Sequence, residues 1–256
     1  LVGSSYSAED IGTQCYKYGT KSVTISYRSK PLGYEWPEGI KEVPLVTHFE
    51  DDVAHFADGT SQKFDAIIMC TGYLFHFPFM PDELRLQTHN CLYPANLYKG
   101  IFWQPNPKLI YLGMQDQYFT FNMFDAQAWY ARDVIMGDIE LPDLAAREAD
   151  EQKWLATYAK CLTVSDSIDF QAAYIRDLTN ATDYPEFAVE KQGEILKEWQ
   201  KDKAENIMTF REKAYSSTLT GTMSPELPEP WLDILDHPLE HFLNITYVKP
   251  KKRKKL

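Results

Sequence analysis

The first thirty residues constrain the fold more than any other part of the chain. Residues 3–8 read Gly-Ser-Ser-Tyr-Ser-Ala, and residues 7–18 have the composition of a helix. Gly19 fits a helix cap, and the alternating residues 22–27 predict a strand. A Gly-containing turn that leads into a helix and then a strand predicts the phosphate-binding turn of a dinucleotide-binding unit.

The turn also carries a signal about which dinucleotide it binds. Compared with the pattern G-x-G-x-x-G/A, Gly3 and Ala8 are in place, but Ser5 stands where the middle Gly is usual. About 20 residues further on, where NAD-specific units have an acid, this chain has Arg28, with Lys30 close by. Cationic side chains suit a 2′-phosphate, so NADP is favoured over NAD. The alternative, a plain strand-turn-helix with a solvated basic loop, fits the spacing less well.

Only two residues precede Gly3, whereas a strand there would have about five to seven. We therefore expect the first strand to be missing or to come from another chain. A net charge of −11 argues against nucleic acid as a partner. The four cysteines have no metal-ligand spacing and predict reduced thiols in a cytoplasmic protein, and no apolar run approaches membrane-spanning length.

Further along the chain, several segments predict regular structure. Residues 46–64 alternate around an Asp-Gly pair and predict a small meander. The apolar runs 65–70, which ends in Thr-Gly, and 109–112 predict strands buried on both faces. A long helix should follow to about Met136, capped by Asn122 or Asp125, and from Pro142 onward the composition is helical and charged.

Two other features predict no site. His48 and His55 lie in the predicted meander, and His237 and His241 form an i, i+4 pair, but no carboxylate or thiol completes a ligand set, so we expect no metal. No G-x-S-x-G turn supports a catalytic serine. The basic residues 251–255 predict a solvated, disordered tail, with a nuclear signal or a membrane contact as alternatives.

Four motifs together resemble a known family. They are Gly-Ser-Ser-Tyr-Ser-Ala-Glu-Asp, the Tyr-Arg loop, Asp-Ala-Ile-Ile-Met-Cys-Thr-Gly-Tyr, and Gly-Met-Gln-Asp-Gln followed by Phe-Asn-Met-Phe-Asp-Ala-Gln-Ala-Trp-Tyr-Ala-Arg-Asp-Val-Ile-Met-Gly. The chain resembles bacterial flavin-containing monooxygenases, and most closely those that act on trimethylamine. The likeness extends to about residue 235.

The resemblance implies an α/β flavoprotein with two dinucleotide-binding domains, in which a Rossmann-like NADP domain is inserted in the FAD domain. Residues 1–70 would belong to the NADP domain, 71–141 to the C-terminal part of the FAD domain, and 142–256 to a helical region packing on both. The Gly-rich FAD turn and an active-site Asn would lie before residue 1. We therefore expect this part alone to be inactive, and the whole enzyme to be a homodimer that includes an N-terminal FAD segment.

The resemblance also assigns binding residues. Ser4 and Ser5 would supply turn amides, and NADP would further contact the residues Tyr6, Ser7, Arg28, Lys30 and Arg211. Gln117 and Thr120 would contact FAD. Asp116 would act near the nicotinamide ribose and the substrate, although without the family a capping or surface Asp is the simpler interpretation.

Tyr6, Tyr118 and Trp199 could form an aromatic pocket for a methylated amine, with ordinary packing as the alternative. Relatives tend to have Trp where Tyr118 stands, which could change the substrate preference.

The implied reaction is the oxidation of trimethylamine to its N-oxide. NADPH would reduce FAD, O2 would add to give a C4a-hydroperoxyflavin, and the amine, another soft nitrogen or sulfur nucleophile, or indole would attack it. One alternative is a non-catalytic NADP-binding fragment of such an enzyme. A disulfide reductase is a weaker alternative, because it needs a redox Cys pair.

Overall fold

The computed structural model describes residues 1–218 and 220–223, which form two compact units. The first unit comprises Leu1–Tyr73 and Lys201–Tyr215, together with Met223, and the second comprises Leu74–Gln200 and Ser216–Thr222. The predictions for His237, His241 and the basic tail lie outside the described residues. The predicted division into cofactor domains stays a prediction.

A short parallel sheet organises the first unit. Strands β1 (Val23–Ser26) and β2 (Ile40–Val43) pair in parallel, which confirms the strand predicted at residues 22–27. Leu1 and Val2 lie on the side of β1 away from β2. Val2 forms a parallel bridge with Ser26 of β1 and, on its own other side, a parallel bridge with Met69. Since all these segments run parallel, their carboxyl ends share one edge, where α/β sheets bind ligands.

Helix α1 (Tyr6–Lys17) packs on this sheet through small residues. Ala8 is fully buried, and a side chain at Gly12 would meet Ile25 and Val23. The helix ends at Lys17 with Tyr18 as its C-cap, and Gly19, the predicted capping glycine, follows with φ +99°. Gly19 N donates to Tyr16 O at 3.0 Å and Thr20 N to Cys15 O at 3.1 Å, the paired bonds of a Schellman motif.

The predicted meander is confirmed. Strands β3 (Val46–Glu50), β4 (Val53–Phe56) and β5 (Ser61–Lys63) form an antiparallel sheet in that order. The second turn contains Asp58, whose carboxylate accepts hydrogen bonds from the Thr60 backbone N–H at 3.0 Å and hydroxyl at 2.7 Å.

The two strands predicted as doubly buried are wrong in extent and in burial. Residues 65–70 form only the isolated bridge to Val2, and Ile67, Ile68 and Met69 are 42%, 38% and 61% exposed. Val2 is the one bridged neighbour of this segment among residues 1–218 and 220–223, so little covers it. Residues 109–112 likewise contribute a single antiparallel bridge, from Ile110 to Phe102.

In the second unit, a short 3-10 helix, Asp82–Leu84, precedes a two-stranded hairpin and a series of helices. The hairpin consists of β6 (Leu97–Tyr98) and β7 (Phe102–Trp103). Four helices follow: α2 (Phe121–Met136), α3 (Leu144–Tyr158), α4 (Val164–Thr179) and α5 (Val189–Glu205). The last five residues of α5 belong to the first unit. The core is aromatic: the rings of Tyr93 and Trp154 contact each other, and both contact the rings of Phe170 and Tyr174.

Helix caps in this unit differ from the prediction in one case. Helix α2 ends at Met136 as predicted, before Gly137 at φ +87°, but its N-cap is Thr120 rather than Asn122 or Asp125. The predicted caps lie inside the first turns of a helix that starts earlier. The next two helices have full side-chain caps, from Asp143 in α3 and from a capping box that begins at Thr163 in α4.

Candidate functional site

The predicted phosphate turn starts at a position that only Gly can occupy. Gly3 has φ +120°, and a Cβ there would lie 2.1 Å from the backbone oxygen of Cys70. Its N–H donates to Ser26 O at 2.9 Å, so the turn leaves the sheet directly beside β1. This close backbone approach is the role expected of the first Gly in a dinucleotide turn.

The turn then opens helix α1 without a side-chain cap. Ser5 is the N-cap residue, but its hydroxyl makes no cap hydrogen bond, and Ser5, Tyr6 and Ser7 are exposed. An N-terminus of this kind offers N–H groups and a positive dipole end to an anion. Its geometry therefore fits a nucleotide phosphate.

The basic residues lie at the same edge of the sheet. Arg28 and Lys30 are exposed in the bend that follows β1, whose carboxyl end adjoins the turn. The loop beyond them is held by Glu42 of β2, whose carboxylate accepts hydrogen bonds from the backbone N–H groups of Leu32 and Gly33. This arrangement fits a 2′-phosphate near the turn.

Arg211 reaches helix α1 from the distant end of the chain. It lies in a short 3-10 helix, Phe210–Glu212, and its guanidinium donates to both carboxylate oxygens of Asp10 at 2.7 Å. The structure therefore brings Arg211 to the helix that carries Tyr6 and Ser7. The predicted contact with NADP stays a prediction.

The residues predicted to face the flavin occupy one loop of the second unit, residues 113–120. Asp116 N donates to Cys91 O at 2.7 Å, and its carboxylate accepts from Gln117 N at 3.0 Å. Gln171 of α4 accepts from Tyr118 N at 2.8 Å and donates to the backbone oxygen of Asp116. Asp116 is half-buried and Gln117 is exposed, so the loop is fixed at its backbone while these two side chains stay accessible.

A buried polar network lies behind this loop. Gln127 accepts from Gly113 N at 2.9 Å and donates to Gln115 at 2.9 Å and to the Tyr174 hydroxyl at 2.8 Å. Tyr174 in turn donates to Lys99 O at 2.7 Å. The three side chains are 0–1% exposed. This network was not predicted from the sequence, although Gln127, which stands between the apolar and aromatic residues 126 and 128–131, was a signal.

Thr120 is strained at the start of α2. Its φ is +38°, rare for a residue with a branched Cβ, and its hydroxyl makes no cap hydrogen bond. Such strain occurs preferentially at functional sites. Both helices at predicted cofactor positions, α1 and α2, thus lack the side-chain caps that α3 and α4 have. Their N-termini fit the phosphate or ring edge of a cofactor.

The three residues predicted to form an aromatic pocket are divided between the two units. Tyr6 belongs to the first unit, and Tyr118 and the half-buried Trp199 of α5 belong to the second. The pocket stays a prediction. A small groove in the first unit, lined by side chains such as Val46, Phe49 and Phe64, includes none of the predicted site residues.

Other site chemistries find little support in the described part of the chain. Residues 1–218 and 220–223 contain no group of three His, Cys, Asp or Glu side chains placed to hold a metal ion. Burial raises the pKa of the Cys70 and Cys91 thiols, which keeps them protonated and unreactive at neutral pH. None of the helices described is long and apolar enough to cross a membrane.

Comparison with known proteins identifies the family. The model of the family described as "Flavin-binding monooxygenase-like" matches residues 38–198. The chain belongs to this family. Membership confirms the resemblance seen in the motifs and implies FAD and NADPH as cofactors of this flavin-binding monooxygenase-like protein. The uncapped turns of α1 and α2 are compatible with both groups.

Several relatives are much more similar than family membership requires. The trimethylamine monooxygenase of Methylocella silvestris is 57% identical over 244 residues, which cover 95% of this chain and 54% of that protein. The enzyme of the same name from Roseovarius sp. (strain 217) is 53% identical over 243 residues, covering 95% and 55%. The chain thus spans about half the length of the curated relatives it matches.

Comparison with solved structures leads to the same family as the sequence relatives. The crystal structure of Tmm from Pelagibacter sp. strain HTCC7211 is similar with a TM-score of 0.85 and 51% identity, over 90% of this chain and 52% of that one. S-allyl-L-cysteine S-oxygenase from Allium sativum matches with a TM-score of 0.63 and 23% identity, over 83% and 50%, and supports the fold alone. The chain therefore has a flavoprotein monooxygenase fold.

Proposed function

We propose that the protein containing this chain oxidises trimethylamine to trimethylamine N-oxide, using NADPH, FAD and O2. The observation that carries the proposal is the 57% identity to a trimethylamine monooxygenase across 95% of this chain. Within the proposal, the chain supplies the NADPH site and the C-terminal part of the flavin site. The Gly-rich FAD turn would come from an N-terminal segment, and the enzyme would be a cytoplasmic homodimer.

The NADPH site would be built at the carboxyl edge of the parallel sheet. Backbone N–H groups of Ser4 and Ser5 and the start of α1 would hold the pyrophosphate, with Tyr6 and Ser7 beside it. Arg28 and Lys30 would bind the 2′-phosphate. The uncapped α1 and the Gly3 turn support this assignment.

The loop 113–120 would hold the flavin and the reacting groups. Gln117 and Thr120 would bind FAD at the uncapped end of α2, and bound FAD supplies the oxygen-transfer chemistry. Asp116 would orient the nicotinamide ribose and the substrate. Its backbone is fixed by Cys91 and Gln171, which supports a positioning role that needs a rigid loop.

The aromatic residues would select the substrate. Tyr6, Tyr118 and Trp199 would surround a methylated amine, whose cationic form binds well to ring faces. Only the neutral amine has a lone pair for attack on oxygen, so the aromatic pocket would increase the affinity for the amine more than the rate of the chemical step. Other soft nitrogen and sulfur nucleophiles would compete for the same pocket.

The test uses the full-length protein with FAD bound. Trimethylamine should stimulate NADPH oxidation, with about one O2 consumed and one N-oxide formed per NADPH. Stimulated oxidation that yields no N-oxide, or electron transfer to a disulfide instead of O2, would contradict the proposal. Tight NADP⁺ binding without any flavin would support the alternative of a non-catalytic binding protein.

A further inference from the structure

Glu9 is a buried carboxylate at a place where negative charge is unfavourable for function. It lies in the first turn of α1 and is only 4% exposed. This is the helix end that would receive the nucleotide phosphates. Two negative groups at one partly desolvated helix end repel each other, so phosphate binding there requires that the charge of Glu9 be compensated.

Lys203 provides the compensation. Its Nζ lies 2.9 Å from Glu9 Oε2, and the two side chains are 7% and 5% exposed. The Tyr34 hydroxyl donates to the other carboxylate oxygen, Oε1, at 3.0 Å. Both oxygens of Glu9 are therefore engaged, one by a cation from the end of α5 and one by a residue of the loop that follows Lys30.

The Lys203 ammonium also faces two aromatic rings. It lies 4.1 Å from the ring centre of Tyr6 and 5.8 Å from that of Tyr34. Both distances are within the range of cation–π attraction. Tyr6 is the first residue of α1, so one buried cation stabilises the start of the helix and the loop together, all within the first unit.

The loop that carries Tyr34 has a second anchor. Glu42 accepts hydrogen bonds from the N–H groups of Leu32 and Gly33, which precede Tyr34 directly. The chain between the exposed Arg28 and strand β2 is thus fixed at two points, Glu42 and Glu9. The position of the basic residues relative to the helix start depends on these anchors.

We propose that Lys203, Glu9 and Tyr34 form a positioning triad for the NADPH site. The Lys203–Glu9 pair compensates the negative charge of Glu9, so that this carboxylate does not repel phosphate at the start of α1. The Tyr34–Glu9 hydrogen bond holds the loop of Arg28 and Lys30 in the position where these residues bind the 2′-phosphate. The inference rests on the proposed function and deepens it. The pair governs affinity for any nicotinamide dinucleotide, and Tyr34 governs the preference for NADPH over NADH.

The two roles predict different phenotypes. Lys203→Met leaves an uncompensated carboxylate, so NADP⁺ and NAD⁺ should both bind about 10-fold more weakly. The double variant Glu9→Gln with Lys203→Met removes both charges and should recover binding to within about 3-fold of the wild type. Tyr34→Phe should weaken NADP⁺ about 5-fold and leave NAD⁺ unchanged, because it loosens only the loop.

The experiment measures Kd by calorimetry for NADP⁺, NAD⁺ and 2′,5′-ADP on the full-length holoenzyme, together with KM and kcat. The triad predicts changes in Kd and KM with little change in kcat. Lys17→Met is the matched control, because Lys17 lies in the same helix and pairs with the partly exposed Glu212 at 2.9 Å. Thermal melting verifies that each variant is folded.

Two outcomes overturn the triad. One is Lys203→Met binding both dinucleotides like the wild type, and the other is Tyr34→Phe with an unchanged ratio of NADP⁺ to NAD⁺ affinity. If Lys203→Met does not fold, Tyr34→Phe decides, since it keeps both charges. Wild-type protein that fails to bind NADP⁺ overturns the proposed function and the triad with it, whereas normal wild-type binding with unaltered variants overturns the triad alone.

Discussion

Gly3 combines two constraints at a single residue, a left-handed backbone and a contact too close for any side chain. Gly3→Ala would place a Cβ 2.1 Å from Cys70 O, at a residue whose φ is +120°, so the backbone there would have to shift. We expect a loss of about 3 kcal/mol or more in the free energy of unfolding, the sum of backbone strain and overlap. Urea denaturation of the variant and the wild type measures it.

Gly59→Ala is the control for this change. Gly59 also has a positive φ, +84°, but a Cβ there would meet nothing within 4 Å. It should therefore cost only the backbone strain, about 1 kcal/mol. Equal losses for the two variants would contradict the importance of the approach to Cys70.

The basic residues after β1 offer a second test at this scale. Arg28→Gln and Lys30→Gln should each raise the KM for NADPH about 10-fold and leave that for NADH unchanged, because only NADPH has a 2′-phosphate. Lys21→Gln is the matched control, since Lys21 precedes β1 and lies toward its opposite end. A KM for NADPH that responds equally to all three changes would point to general charge attraction rather than a site. Steady-state kinetics of the full-length enzyme provide the numbers.

At the residue scale, only part of the candidate site could be predicted from the sequence. Gly3, Ser5 and Arg28 could be proposed as site residues because one turn and one strand fix their mutual positions within thirty residues. The partners that hold the site were missed, since Gln171 and Lys203 are 55 and 194 positions from the groups they bind. Such contacts depend on the packing of distant helices, which local patterns do not encode.

At the scale of elements, the loop 113–120 depends on a network that α2 and α4 contribute. Tyr174→Phe would remove the hydroxyl that contacts Gln115, Gln127 and Lys99 O, leaving buried polar groups without their partner. We expect a loss of about 2–3 kcal/mol in the free energy of unfolding. Tyr158→Phe, at the rim of the same aromatic core, should cost less than about 1 kcal/mol. Urea denaturation of both variants measures these losses in the free energy of unfolding. Similar losses would contradict a special role for the network.

The strands predicted from apolar runs show what local patterns leave out at this scale. The run at residues 65–70 has the composition of a strand covered on both faces, yet Met69 is 61% exposed. Hydrophobicity indicates a tendency to be buried, but burial also needs neighbouring elements, and here Val2 contributes a single bridge. The meander was predicted correctly because its turns and its partners are adjacent in sequence.

Across the whole molecule, buried and half-buried tyrosines make the free energy of unfolding depend on pH in the alkaline range. Burial raises the pKa of Tyr34 in the first unit and of Tyr93, Tyr130 and Tyr174 in the second, and burial and Asp125 raise that of Tyr184 to about 12. Below pH 10 these phenols are protonated in both the folded and the unfolded state, so their contribution to stability is fully present. Above pH 10 the unfolded chain loses protons that the folded chain retains, and stability falls.

For the fully buried Tyr93 and Tyr174, this loss should be about 1.4 kcal/mol per pH unit for each residue above pH 10. Tyrosinate absorbance at 295 nm should therefore rise in two stages, a gradual one from exposed phenols and a cooperative one that coincides with loss of circular dichroism. Above pH 10, the free energy of unfolding of Tyr174→Phe should fall with pH by about 1.4 kcal/mol per pH unit less than that of the wild type. A single smooth titration near pH 10 with an intact fold would contradict the burial of these hydroxyls, because a phenol that ionises freely in the native state cannot link unfolding to pH.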